Sequence, residues 1–137
     1  MDEVSALAIE GIVLEMMVEV SRDTSKARGR IPPQWLRRAK QILRERFDEN
    51  IRVTDIAELV GVHPVHLASE FRRFCGSTIG EYVRNTRVEY ACIQLSTTTT
   101  SIVEIALASG FSSQSHFSTT FKRLTGISPV DYRENFS

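Results

Sequence analysis

One pattern occurs twice in this 137-residue chain, and any fold it adopts has to accommodate both copies. Ile56-Ala57 and Gly61 stand 49 positions before Ile105-Ala106 and Gly110. Past the glycines the offset becomes 50: Leu67, Phe71, Arg72 and Gly76 answer Phe117, Phe121, Lys122 and Gly126. The extra residue falls in a turn, where it leaves the helical phase on either side intact. Two copies fall short of the three or more that a solenoid needs. The repeat predicts a bipartite, all-α protein.

The second copy, Ser101 to Gly126, is the clearer one. Ser101 and Glu104 have the capping-box spacing of a helix start. Ile102, Ile105, Ala106 and Ala108 then give a short helix one apolar side. Gly110 ends it, because glycine accepts the positive φ of a sharp turn. Phe111 is placed to plug the corner, and Ser112 or Ser113 to cap a second helix. In that helix Phe117, Phe121 and Leu124 recur at helical spacing. Its other side carries Gln114, Ser115, Ser118, Thr119, Lys122 and Arg123. Two short helices at a steep angle, the second polar and basic on its outer face, describe a helix-turn-helix. Units spanning 54–75 and 102–125 are expected to read DNA.

Composition first argues against that reading, since 17 basic and 17 acidic residues cancel. The average hides two unlike parts. Residues 1–23 hold six acids and one arginine; residues 24–137 hold sixteen basic and eleven acidic residues. The part with the repeats is therefore modestly basic, as a nucleic-acid binder requires. Cys75 and Cys92 form no CxxC pair and suggest no disulfide framework. No signal peptide opens the chain. The longest apolar stretch, Val4 to Val20, contains Glu10, Glu15 and Glu19 and is too short to span a bilayer comfortably. A cytoplasmic protein without membrane contact is expected.

That stretch reads as an appended helix, apolar at twelve of its 17 positions. A lone surface helix shows a narrower stripe, so residues 1–20 are expected to meet a partner: another domain, a lost sensor domain, or a second copy in a homodimer. The alternative is that they fold back on the basic domain as an extra core helix. Residues 21–33 are polar and basic, end in Pro32-Pro33, and read as a linker. The domain proper is 34–137. A first helix is predicted from about Gln34 to Asp48, with Leu36, Ala39, Ile42, Leu43 and Phe47 inward. In the first unit, Pro64 suits an initial helical turn, and Val65, His66, Ala68, Ser69, Arg72 and Arg73 take the accessible side. Ile79, Tyr82, Val83, Val88, Ala91, Cys92 and Leu95 outline one connecting helix of roughly 25 Å. A strut of that length suits readers about one turn of B-DNA apart, roughly 34 Å. Thr97 to Thr100 read as a loop. Ser128-Pro129 starts a last helix whose Tyr132 and Phe136 pack under the second unit.

These residues resemble the DNA-binding domain of the AraC/XylS family of bacterial transcription regulators, over about 35–134. The second unit carries most of the likeness: Ile105-Ala106, Gly110 through Ser118, Phe121-Lys122, Gly126, Ser128-Pro129 and Tyr132-Arg133. The first matches through Ile56-Ala57, Gly61, His66-Leu67, Phe71-Arg72, Gly76, Tyr82, Arg87 and Ala91. The resemblance implies a seven-helix domain with two helix-turn-helix subdomains, binding double-stranded DNA and recruiting RNA polymerase, usually as an activator. It also implies a sensor domain ahead of this one, so the chain is expected to be a fragment of a longer regulator. Three departures stand out. Family members often carry arginine where this chain has Ser69 and Thr119, and arginine contacts guanine with two hydrogen bonds. Smaller contacts or DNA shape are expected to replace it. His63 stands in place of the usual serine cap, a change expected to weaken the first reading helix by about 1 kcal/mol.

Val65, His66, Ala68, Ser69, Gln114, Ser115, Ser118 and Thr119 are thus the base-edge candidates. Arg72, Arg73, Lys122 and Arg123 are the phosphate candidates, giving affinity without sequence information. His116 is read as packing, and Arg87 as an internal ion-pair partner. His63 and His66 lack further ligands at diagnostic spacing, so no metal is expected. Neither cysteine sits where a thiolate nucleophile would be activated, and no serine–histidine, paired-carboxylate or glycine-rich phosphate motif is present. No enzyme and no cofactor are expected. The rival reading is a helical protein-interaction module with weak or vestigial DNA binding.

Overall fold

The computed structural model describes residues 31–137; the apolar segment 4–20 and linker residues 21–30 lie outside the described residues. Seven helices and no strand are found among the described residues: α1 (Gln34–Glu45), α2 (Val53–Val60), α3 (Pro64–Cys75), α4 (Ile79–Thr97), α5 (Ile102–Ala108), α6 (Gln114–Thr125) and α7 (Pro129–Phe136). None is long and apolar enough to cross a membrane.

Each half of the repeat buries its own core, which divides the described chain into two compact units, 31–83 and 84–137. In the first, Leu36, Ala39 and Leu43 of α1 pack with Ile56 and Ala57 of α2 and with Leu67 and Phe71 of α3. Ile79 and Tyr82, at the start of α4, complete it. In the second, Val88, Ala91, Cys92 and Leu95 of α4 pack with Ile105, Ala106, Phe111, Phe117, Phe121 and Tyr132. Phe71, Phe117 and Phe121 are fully buried. Burying such a ring stabilises by about 1.5–3 kcal/mol relative to leaving it in water, so these phenylalanines hold each unit closed.

Side-chain caps set where the helices begin. Ser101, Ser113 and Ser128 accept the N–H of Glu104, His116 and Asp131 at 3.2, 3.1 and 3.1 Å. Thr78 accepts that of Glu81 at 3.1 Å, and Asp55 takes the backbone N–H of Arg52 at 3.0 Å. Each bond satisfies one of the orphan donors at a helix start.

The ends are less legible in the sequence. α1 stops at Glu45, three residues short of Asp48, and Arg46 then forks onto the Glu49 carboxylate with two bonds of 3.0 Å. α4 runs through Thr97, which the sequence reading left in the loop. Ser96, Thr97 and Thr98 turn their hydroxyls back onto the carbonyls of Cys92, Ile93 and Gln94 at 3.0, 2.6 and 2.7 Å, beside backbone bonds such as Thr98 N–H to Gln94 O, so the hydroxyls find partners within the last turn. Arg133 of α7 adds two more, donating from Nε to Leu95 O at 3.2 Å and from Nη2 to Thr98 O at 3.3 Å. A cation there also opposes the negative end of the helix dipole. Ala108, expected on the inner side of α5, is exposed; Ser109, the residue that caps the end of α5, is buried instead, its hydroxyl bonding Ile105 O at 2.6 Å.

Both cysteines are buried. Burial pushes the Cys75 thiol up, offset in part by the Lys40 ammonium. In Cys92 it raises the thiol to about 11, against a smaller lowering from the hydrogen bond with Tyr132. The neutral thiol is therefore favoured by folding, while an unfolded cysteine ionises near about 8.5. Its stabilisation is complete below that pH and is lost as pH rises toward 11. Urea midpoints should fall across pH 8.5–11, and Cys92→Ala should flatten that fall; equal slopes in both proteins would refute the assignment. Arg133→Met should cost about 1–3 kcal/mol, since it leaves two carbonyls unmatched; an unchanged urea midpoint at pH 7 would contradict the cap.

Candidate nucleic-acid interface

The two turns are built alike. Gly61 and Gly110 have φ of +76° and +96°. Their N–H groups donate to Glu58 O and Leu107 O, and the next residues, Val62 and Phe111, donate back to Ala57 O and Ala106 O at 3.0 and 3.1 Å. A Cβ at Gly61 would meet nothing within 4 Å, so the backbone angle rather than crowding calls for glycine. After this shared corner the second turn has one residue more. His63 follows Val62 directly as the cap of α3, whereas Ser112 intervenes before Ser113, the cap of α6.

His63 corrects the expectation of a weakened start. Its Nδ1 accepts the N–H of Val65, the second residue of α3, at 3.2 Å; the serine caps accept from the third residue of their helices, so the imidazole satisfies a neighbouring open donor of the helix start.

From these caps α3 and α6 send their hydrophobic residues inward and present matching outer stripes. Val65, Ala68, Ser69 and Arg72 recur at i, i+3, i+4 and i+7 on α3; Ser115, Ser118, Thr119 and Lys122 do so on α6. All are exposed except Ser118, which is half-buried. Gln114 is exposed at the first position of α6. The histidines beside the stripes pack on aromatic rings in both copies. His66 lies 5.2 Å from the Trp35 ring, and His116 meets Phe111 edge-on at 5.3 Å.

Charge differs between the helices. Arg73 pairs with Glu70 at 3.6 Å and lies 5.9 Å from the Phe74 ring. Lys122 and Arg123, both exposed, share α6 with no acidic residue. All four basic residues sit in last turns, where the helix dipole favours them. Arg87 places its guanidinium 5.7 Å from the Phe111 ring.

The repeat extends further than the sequence reading took it. Thr78 and Ser128, fifty apart, cap the helices that follow α3 and α6. Tyr82 and Tyr132, also fifty apart, meet Phe71 and Phe121 edge-on, both at 5.4 Å. The same offset of 50 was the available signal. Among the described residues no group of three His, Cys, Asp or Glu is placed to hold a metal ion.

Comparison with known proteins agrees with this geometry. A family described as "Helix-turn-helix domain" matches residues 56–135. The probable transcription factor PqrA of Proteus vulgaris is 41% identical over 88 residues, 64% of this chain and 72% of that one. Uncharacterised HTH-type transcriptional regulators of Staphylococcus aureus are 36% identical over 87 residues, and there the matched part spans only 12% of the relative's length. Among solved structures, an AraC-type transcriptional regulator from Chromobacterium violaceum superposes with a TM-score of 0.70 at 33% identity, covering 75% of this chain and 92% of that one. The DNA-binding domain of AdpA, solved with a target DNA, superposes with a TM-score of 0.72 at 26% identity, covering 76% and 94%.

The cap at His63 yields a prediction. His63→Ala should destabilise the first unit by about 1 kcal/mol, while His63→Ser should leave it within a few tenths. The fluorescence of Trp35, the chain's single tryptophan, follows that unit in urea. Equal midpoints for the alanine variant and the parent would show the imidazole bond to be dispensable.

Proposed function

The chain belongs to the AraC-type helix-turn-helix regulators of transcription, and from that premise we propose that it binds double-stranded DNA through α3 and α6 in successive major grooves. The domain responsible is 34–137. Val65, His66, Ala68 and Ser69 of one helix, with Gln114, Ser115, Ser118 and Thr119 of the other, meet base edges. Arg72, Arg73, Lys122 and Arg123 hold phosphates, which set register and affinity without carrying sequence information. The observation behind this reading is the duplicated outer stripe, kept outward in both copies while its neighbours are buried. AdpA, whose corresponding domain is 26% identical, was solved on its target DNA. Residues 4–20 serve as a pairing helix or as the end of a sensor domain, and the bound regulator recruits RNA polymerase as a cytoplasmic activator.

Selection from random duplexes of about 25 base pairs, at several salt concentrations, tests the reading. Two enriched blocks about ten base pairs apart are expected, with affinity falling steeply as salt rises. Arg72→Ala and Lys122→Ala should each weaken binding similarly on all sequences and reduce the salt slope by about one. One enriched block would leave a single reader. Absence of binding at low salt would replace the proposal with a helical protein-interaction module.

A further inference from the structure

The two outer stripes have different chemistry although their frames match. The α3 stripe opens with Val65, 70% exposed, and continues through Ala68 to Ser69. The corresponding α6 positions are Ser115, Ser118 and Thr119, preceded by the exposed amide of Gln114. Before Arg72, the α3 stripe therefore offers one hydroxyl and no side chain able to make paired hydrogen bonds to a base. The neighbouring imidazole of His66 is held against Trp35 at 5.2 Å, beside the stripe rather than on it. Nothing in the first core accounts for Val65, which stands outside the cluster that Leu67 and Phe71 join.

An isopropyl and a methyl group facing a major groove have one specific partner there, the C5-methyl of thymine. Cytosine presents only its amino donor at the corresponding edge, and the purines present acceptors or an amino group, none of which an alkyl group can satisfy. Resting on the DNA reading above, we infer that Val65, with Ala68, makes the first unit a reader of thymine methyl groups. The second unit instead reads hydrogen-bonding edges through Gln114, Ser115 and Ser118. Val65 is then a specificity-determining residue, and the sites this chain selects carry thymine in the block read by α3.

Deoxyuridine tests this directly, since it removes the methyl and leaves every hydrogen-bonding group in place. The full chain and its Val65→Ser variant are titrated with the selected duplex and with duplexes carrying deoxyuridine in one block or the other. Val65 is exposed, so circular dichroism of the variant should match the parent. The parent should lose about fourfold in affinity for each contacted methyl removed from the first block, the factor expected for burying one such group. Val65→Ser should bind the thymine duplex more weakly and lose less with deoxyuridine than the parent does.

Equal affinity of the parent for both duplexes would overturn the inference, as would an undiminished deoxyuridine effect in Val65→Ser or selection of a site whose blocks lack thymine. Each of these leaves DNA binding itself intact. Failure to bind any duplex would overturn the DNA reading together with it, and is recognised by the absence of binding to the unmodified selected duplex.

Discussion

The contact on which each unit depends is the edge-to-face pair that ties α3 or α6 to the helix that follows it: Phe71 with Tyr82, Phe121 with Tyr132. Both phenylalanines are fully sealed from solvent and both tyrosines nearly so. Such ring pairs are worth about 0.5–1.5 kcal/mol beyond the area they bury. Their direction matters as much as their strength. With Phe71 and Phe121 fixed inward, the helical period obliges the residues one position beyond, Arg72 and Lys122, to face outward, together with the residues three and four places earlier on the stripe. A helix without this anchor could rotate about its axis and offer any face. The aromatic pairs therefore connect core packing to the orientation of the outer stripes.

The glycine corners act at the other end of the same helices. Each donates two N–H groups back to the preceding helix, so the chain leaves the turn along a defined path. The added Ser112 comes after that path is set and before the cap. An insertion there adjusts the approach to α6 without disturbing the bonds that end α5. This explains how the repeat tolerates its change of register: the extra residue lies where no shared hydrogen bond has to span it.

Much of this was legible because the signals were periodic. Buried apolar residues at helical spacing, glycine at the corners and serine before the helices led to the all-α class, the two units and the outer stripes. The misreadings involve groups whose partners are distant in sequence or change role with context. Thr97 looked like loop because threonine disfavours helix interiors, yet at a helix end its hydroxyl bonds back to Ile93 O, four residues earlier. The bond from Arg133 to Leu95 spans 38 residues, so no local pattern announces it. His63 looked like a poor cap because histidine is seldom one; its ring nitrogen nevertheless accepts the required bond. Ala108 was expected on the inner side and is exposed, while the next residue, Ser109, is buried with its hydroxyl bonded to Ile105 O.

Because each unit closes over its own core, the outer stripes of α3 and α6 can change by separate substitutions. A residue on the α3 stripe can be exchanged without repacking the core that holds α6, since the two clusters share no buried member. The present chain already shows such divergence, Val65 and Ala68 on one stripe where the other has Ser115 and Ser118, over equivalent aromatic anchors. For an evolving lineage this makes the two outer surfaces separable traits: one can drift while the other keeps its chemistry unchanged.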